Sequence, residues 1–198
     1  EFSPRPMLAD EKLCRNDLLA MATDPGVSNL DCCISILAWG GMNRKYALSA
    51  LSCFNRWEAI VEDMRHCKTS PFEAYERFQS VRANGQLAGM GIAYFTKLIF
   101  FLNRQPGGYI LDQWTARSAN LICTNKNIFL NWGRHKTRRF AVVSDRNDSS
   151  NYQYFCSFIE DICSLVDHLE NPSDTEEALF SAGRGKGLWR QYVISNDK

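Results

Sequence analysis

Apolar residues recur every three or four positions along most of the chain, and short clusters of Gly, Pro, Asn, Asp and Ser separate the stretches so patterned. That pattern predicts a mainly α-helical protein. "DEKLCRNDLLAMA" (10–22) is amphipathic and stops near Asp24-Pro25-Gly26. "NLDCCISILAWGG" (29–41) is strongly apolar and closes on Gly40-Gly41, a helix stop. "NRKYALSALSCF" (43–54) and "RWEAIVEDMRHC" (56–67) keep helical spacing. "TSPFEAYERFQSVRANG" (69–85) predicts a helix with Ser70 as N-cap, Pro71 in the first turn and Gly85 near its end. A further helix is expected over about 92–102 and a loop over 103–108. Asp112 then begins or caps a helix that ends near Cys123. "NIFLNWGRHKTRRFAVVSDRND" (127–148) lacks a clear period and predicts a short strand at 140–143. "NYQYFCSFIEDICSLVDHL" (151–169) is the clearest late helix. "TEEALFSAG" (175–183) predicts a short final one, capped by Thr175 or Ser173.

The length of 198 residues fits one domain, or two small helical lobes sharing a core, and no repeat, low-complexity tract or linker divides it. A 45% apolar share is too high for disorder. The net charge of +1 excludes a generally basic nucleic-acid coat, so affinity for DNA must come from local patches. Two exist: "RHKTRR", with Arg134, His135, Lys136, Arg138 and Arg139, and "RGKGLWR", with Arg184, Lys186 and Arg190. Of the eight cysteines, Cys53, Cys123, Cys156 and Cys163 fall in apolar helical patterns and Cys32-Cys33 are adjacent, which predicts reduced thiols rather than a disulfide scaffold. No C-x2-C pair occurs and His66, His135 and His168 lack ligand spacing, so no metal is expected. The longest apolar run, around residues 98–102, is far below the ~20 residues of a spanning helix. A cytosolic protein is expected, with no membrane partner.

One stretch, "LAGMGIAYFTKLIFFLNRQPGGYILDQW" (87–114), combines a glycine turn, a lysine in an apolar helix and a lone acid. A helix, an L-x-G-x-G turn and a second helix aim several backbone N–H groups one way, and glycines let a phosphate approach them without a Cβ in its path. Such a turn grips a nucleic-acid backbone without reading bases. The same pentapeptide also serves as a plain helix–helix connection.

The stretch resembles the helix-hairpin-helix DNA glycosylase superfamily, whose motif is an "LPGVG" hairpin, a helix and an essential aspartate about twenty residues later. It is most similar to the 8-oxoguanine-glycosylase-like branch and its compact bacterial relatives. Leu87, Gly89, Met90 and Gly91 supply the hairpin, with Ala88 where proline is common, and Asp112 stands at the family's acid position. The resemblance is specific over residues 70–123. It implies a two-lobed helical bundle over 1–198 that acts, without a cofactor, on double-stranded DNA containing a modified base. It further implies a monomer, located in the bacterial cytoplasm at the nucleoid.

By that resemblance the reaction is cleavage of an N-glycosidic bond. A carboxylate beside C1′, here Asp112, stabilises cationic sugar character and orients the attacking group. The branch that also nicks DNA places a Schiff-base lysine two residues after the second hairpin glycine. That position is Ala93, and the helix's lysine is Lys97, one turn later on the same face, which would need a shifted substrate or backbone to reach the same carbon. Desolvated by Phe95, Leu98 and Phe101, Lys97 would be the nucleophile; otherwise it would bind a phosphate or the departing base. The flipped base needs an aromatic pocket and a wedge, for which Trp39, Trp114, Phe180 and Trp189 are candidates. Arg134, Lys136, Arg138 and Arg139 would face the DNA backbone beside the hairpin. The substrate implied is oxidised guanine, in repair, or a hypermodified phage base, in defence. No four-cysteine cluster follows the acid, which excludes the iron–sulfur type. Two other readings of these residues are a non-catalytic DNA-binding module and a helical protein-interaction adaptor.

Overall fold

Side-chain caps set where most of the helices begin. The computed structural model describes residues 13–123, 125–135, 138–180 and 187–196, with the backbone alone for His135 and Arg138. The early elements are α1 (Arg15–Thr23), α2 (Asn29–Trp39), α3 (Arg44–Leu51), a 3₁₀ turn (Phe54–Arg56), α4 (Glu58–Arg65), α5 (Pro71–Ala83) and α6 (Ile92–Leu102). After them come α7 (Gln113–Ile122), β1 (Leu130–His135), β2 (Arg138–Val143), α8 (Ser149–Leu165), α9 (Pro172–Leu179) and α10 (Leu188–Asn196). Ser28, Asn43, Asp148 and Asn171 accept from first-turn amides of α2, α3, α8 and α9. At α5, Ser70 caps and Pro71 stands just inside, as the sequence predicts, and Glu73 completes a reciprocal box with Ser70.

Helix α6 is central. Its sequence IAYFTKLIFFL buries eight residues, Lys97 among them, because α1, α2, α4 and α5 all pack on it. A second group forms from α7, α8, α9 and α10, and the α5–α8 contact joins the two. There Tyr75 stacks on Tyr152 at 4.4 Å and donates to the Asn147 carbonyl. Tyr152 donates to the Tyr109 carbonyl at 3.0 Å, fixing the loop that leads to α7. These ties hold the chain on both sides of the α6–α7 junction. The fold is the two-lobed, mainly α bundle expected.

Three local expectations are corrected. The segment 127–148 holds an antiparallel hairpin, Leu130 paired with Val143 through His135 with Arg138, rather than one strand at 140–143. Its β1 strand, LNWGRH, is poor in strand-forming residues and leaves Trp132 exposed, so no alternation marks it. The helix placed at 175–183 runs Pro172–Leu179 and is capped by Asn171, not Thr175 or Ser173. It is not the last, since α10 follows; its single buried residue, Val193, explains its faint period. All eight cysteines are free.

Candidate active site

The glycine turn is built from the inside out. Leu87 and Met90 are buried to 1% and 0% exposure and anchor it in the core. Gly89 takes φ +82°, and a Cβ there would lie 2.7 Å from the Tyr46 carbonyl oxygen, so the turn is pressed against the α3 backbone. Arg82 holds it from α5, donating to the Met90 carbonyl at 3.0 Å while pairing with both oxygens of Asp145. Gly91, the N-cap of α6, offers no side-chain cap, and a Cβ on it would meet nothing within 4 Å. The positive end of α6 therefore opens outward beside a groove of about 420 Å³ lined by Arg82, Gly85, Leu87, Ala88, Ile92 and Asp145.

From Gly91, α6 leads about 9 Å along its axis to Lys97, at 1.5 Å per residue. Lys97 is 6% exposed. Its ammonium donates to the Ala93 carbonyl at 2.8 Å and lies 5.6 Å from the Tyr94 ring. Helical side chains lean towards the N-terminus, so Lys97 itself reaches back the one turn that separates it from the family position. Gly40 makes room for this: a Cβ there would sit 2.8 Å from Lys97 Cδ and 3.2 Å from Cε.

Next to Lys97 in sequence, Thr96 accepts from the Leu111 amide at 3.2 Å. That bond draws the segment before α7 onto α6, tying the residue before Asp112 to the residue before Lys97. Asp112 is 8% exposed and caps α7, its Oδ1 accepting from the Trp114 amide at 2.7 Å and the Thr115 amide at 3.1 Å. Thr115 closes the box by accepting from the Asp112 amide, and its hydroxyl donates to the Ile110 carbonyl. Asp112 thus takes the capping role expected of it.

The sequence pattern does not single out Arg15, Arg117 or Glu176; of these Glu176 interacts electrostatically with Asp112, and Arg15 pairs with Glu176. Glu176 on α9 is 0% exposed, its Oε2 held by Arg15 of α1 at 2.5 Å and its Oε1 without a hydrogen-bond partner. Burial pushes its carboxyl up; Arg15 pulls it down, Asp112 pushes it up and Lys97 pulls it down, leaving it at about 7. Arg15 Nη1 is likewise buried and unpaired, and its guanidinium lies 5.0 Å from the Phe100 ring and 5.8 Å from Trp39. The trace available in the sequence is an acid three residues before Leu179, both on the buried face of α9.

The four candidate aromatics fall on two sides of this cluster. Trp39 packs edge-on to Phe101 at 5.1 Å, directly before the Gly40 that admits Lys97. Trp114 lies between the guanidinium groups of Arg117 at 4.6 Å and Arg190 at 4.3 Å. Arg190 also donates to the Phe180 carbonyl, and Trp189 donates to the Ser118 hydroxyl at 2.9 Å, which gathers these side chains against α7. Burial lowers the Arg190 pKa, Asp112 opposes that by raising it, and Arg117 lowers it further. All four aromatics are half-buried. On the β-hairpin, Arg134 and Arg139 are exposed and paired in register, and Arg139 lies 3.8 Å over Trp132. Arg138 contributes its backbone to the pairing; Lys136, Arg184 and Lys186 lie outside the described residues.

Among the described residues no helix is long and apolar enough to cross a membrane. No curated protein and no solved structure matches the chain. A family model does: that of the "Putative 8-oxoguanine DNA glycosylase OGG-like protein" family, which matches residues 2–180 and so takes in the hairpin, Lys97, Asp112 and Glu176. The chain, an open-fronted glycine hairpin above a buried aspartate and lysine in a helical bundle, belongs to this DNA glycosylase family.

Proposed function

We propose that this single domain excises oxidised guanine from duplex DNA. The observation that supports this reading is the Thr96–Leu111 bond, which ties the residue before Asp112 to the residue before Lys97, about one and a half helical turns below the open end of α6. The hairpin amides grip a phosphate, with Arg134, Lys136, Arg138 and Arg139 adding charge on the same duplex. The damaged nucleotide leaves the stack and its base enters the space flanked by Trp39, Trp114, Phe180 and Trp189. As the N-glycosidic bond breaks, its electron pair leaves with the base and positive charge develops on the sugar. Asp112, held by two amides, stabilises that charge without having to reorganise. Lys97, once it has given up its proton, attacks C1′; the C1′–O4′ bond then breaks, O4′ taking its electron pair and the proton lost from nitrogen, which leaves a Schiff base, and β-elimination expels the 3′ phosphate and nicks the strand.

A panel of duplexes, each with one modified base, tests this reading. Incubation followed by alkali is expected to break the strand at 8-oxoguanine and to spare undamaged duplex; abasic sites at none of the bases would refute excision. Cleavage confined to a hypermodified cytosine would move the substrate to phage DNA. Asp112→Asn is expected to bind duplex and to lose excision. Borohydride trapping is expected in wild type and not in Lys97→Ala, and a complex that survives the substitution rules the lysine out.

A further inference from the structure

The ion pair with Arg15 accounts for only one oxygen of the buried Glu176 carboxyl. Its side chain is 1% exposed, and Arg15 satisfies only Oε2. Oε1 is closed off from solvent with no donor on it. A carboxylate so placed costs several kcal/mol unless it finds a partner or takes up a proton. Three elements bring charge to this point: Arg15 from α1, Lys97 from α6 and Asp112 from the start of α7. Glu177 on the same helix is half exposed, 3.8 Å from the other side of Arg15. Arg190 faces Asp112, and Arg117 in turn faces Arg190.

We propose that Glu176 is a positioning residue of the reaction centre: it holds one exchangeable proton beside Lys97 and Asp112, and its charge state sets how readily Lys97 gives up its own proton. This rests on the assignment of Lys97 as nucleophile. When Glu176 is ionised, its negative charge holds Lys97 as the ammonium. When it carries the proton on Oε1, the ammonium loses that support and is released more easily as the amine that attacks C1′. Coupling of this kind is mutual, so each group's titration reports the other's charge. The carboxyl's position near 7 places the exchange in the neutral range.

Two measurements decide it. The first needs no substrate: carbon-13 NMR of glutamate-labelled protein, with the Glu176 carboxyl resonance assigned by its loss in Glu176→Gln. A midpoint near 7 is expected. It rises in Lys97→Met, which removes an attractive cation, and falls in Asp112→Asn, which removes a repelling anion. Titration in the ordinary glutamate range, indifferent to both substitutions, overturns the proposal. The second is the rate of borohydride trapping against pH. In Glu176→Gln the midpoint of the rising limb moves down by about one pH unit, the scale of coupling between groups that share a buried site. Glu177→Gln leaves it in place. A profile that coincides with wild type in Glu176→Gln refutes the link to Lys97. If no DNA substrate is ever trapped, the functional reading fails, and the NMR titration still decides whether the three groups are coupled.

Discussion

The two glycines of the hairpin are expected to fail in opposite ways when each receives a methyl group. At Gly89 the φ of +82° disfavours any L side chain, by about 1–2 kcal/mol. The new Cβ would also lie 2.7 Å from the Tyr46 oxygen, 3.2 Å from its Cα and 3.3 Å from its carbonyl carbon. Those are backbone atoms of α3 and cannot swing aside, so overpacking adds roughly 1–3 kcal/mol. Gly89→Ala should therefore destabilise by about 2–5 kcal/mol, a large part of a typical 5–15 kcal/mol total. For a chain of this size that lowers Tm by roughly 5–15 °C. At Gly91 the Cβ meets nothing and φ is −89°, so Gly91→Ala should cost under about 1 kcal/mol, the difference between two weak N-caps. The same open space is where a phosphate would approach, so this stable variant should lose affinity for duplex DNA. Thermal unfolding and fluorescence anisotropy on a labelled duplex, run on both variants, separate the effects. A Gly89→Ala protein as stable as Gly91→Ala would refute the packing argument, and undiminished binding by Gly91→Ala would refute the phosphate site.

Three further outcomes follow from the geometry. Glu176 keeps its proton to about 7 in the folded protein and to near 4.5 in the unfolded chain. Between those values the folded state binds more protons, so this group makes stability fall as pH rises across that window, by roughly 3 kcal/mol at most. Urea unfolding at pH 5 and pH 8 should show a drop in wild type that shrinks in Glu176→Gln. Asp112→Asn should stay within about 0.5 kcal/mol of wild type because Asn also caps, whereas Asp112→Ala should lose about 1–2 kcal/mol with the two amide bonds at Oδ1. Equal losses in the two variants would mean that the cap contributes nothing. Arg139→Ala removes an exposed cation lying 3.8 Å over Trp132; Tm should barely move, while the slope of log K against log salt should fall by about 0.9.

The elements that sequence reveals here are those whose signal is local. Helix α5 announces itself through Ser70, Pro71 and Glu73, since a reciprocal cap needs only residues three apart. The hairpin and Asp112 are legible for the same reason, as a turn and a cap at a fixed distance along one chain. Strand β1 is not, because Asn131, Gly133 and Arg134 take strand geometry from their partners on β2 rather than from their own preference. Helix α10 is faint because Val193 alone is buried there and Leu188, Tyr192 and Ile194 face outward.

The site divides along the same line. Lys97 follows Thr96 on α6 and Asp112 follows Leu111 before α7, the two ends of a bond that spans 15 residues, so one stretch holds both. Arg15 and Glu176 reach the same place from positions 161 residues apart, joined only by the packing of α1 and α9 around it. No spacing rule links such residues, and a glutamate in "TEEALF" reads as a solvated helical acid until the burial of its Oε1 is known. What the fold adds to the motif is therefore its charge environment. The motif supplies the buried Asp112 and Lys97, and the distant pair adds one cation and one carboxyl that burial pushes up to about 7.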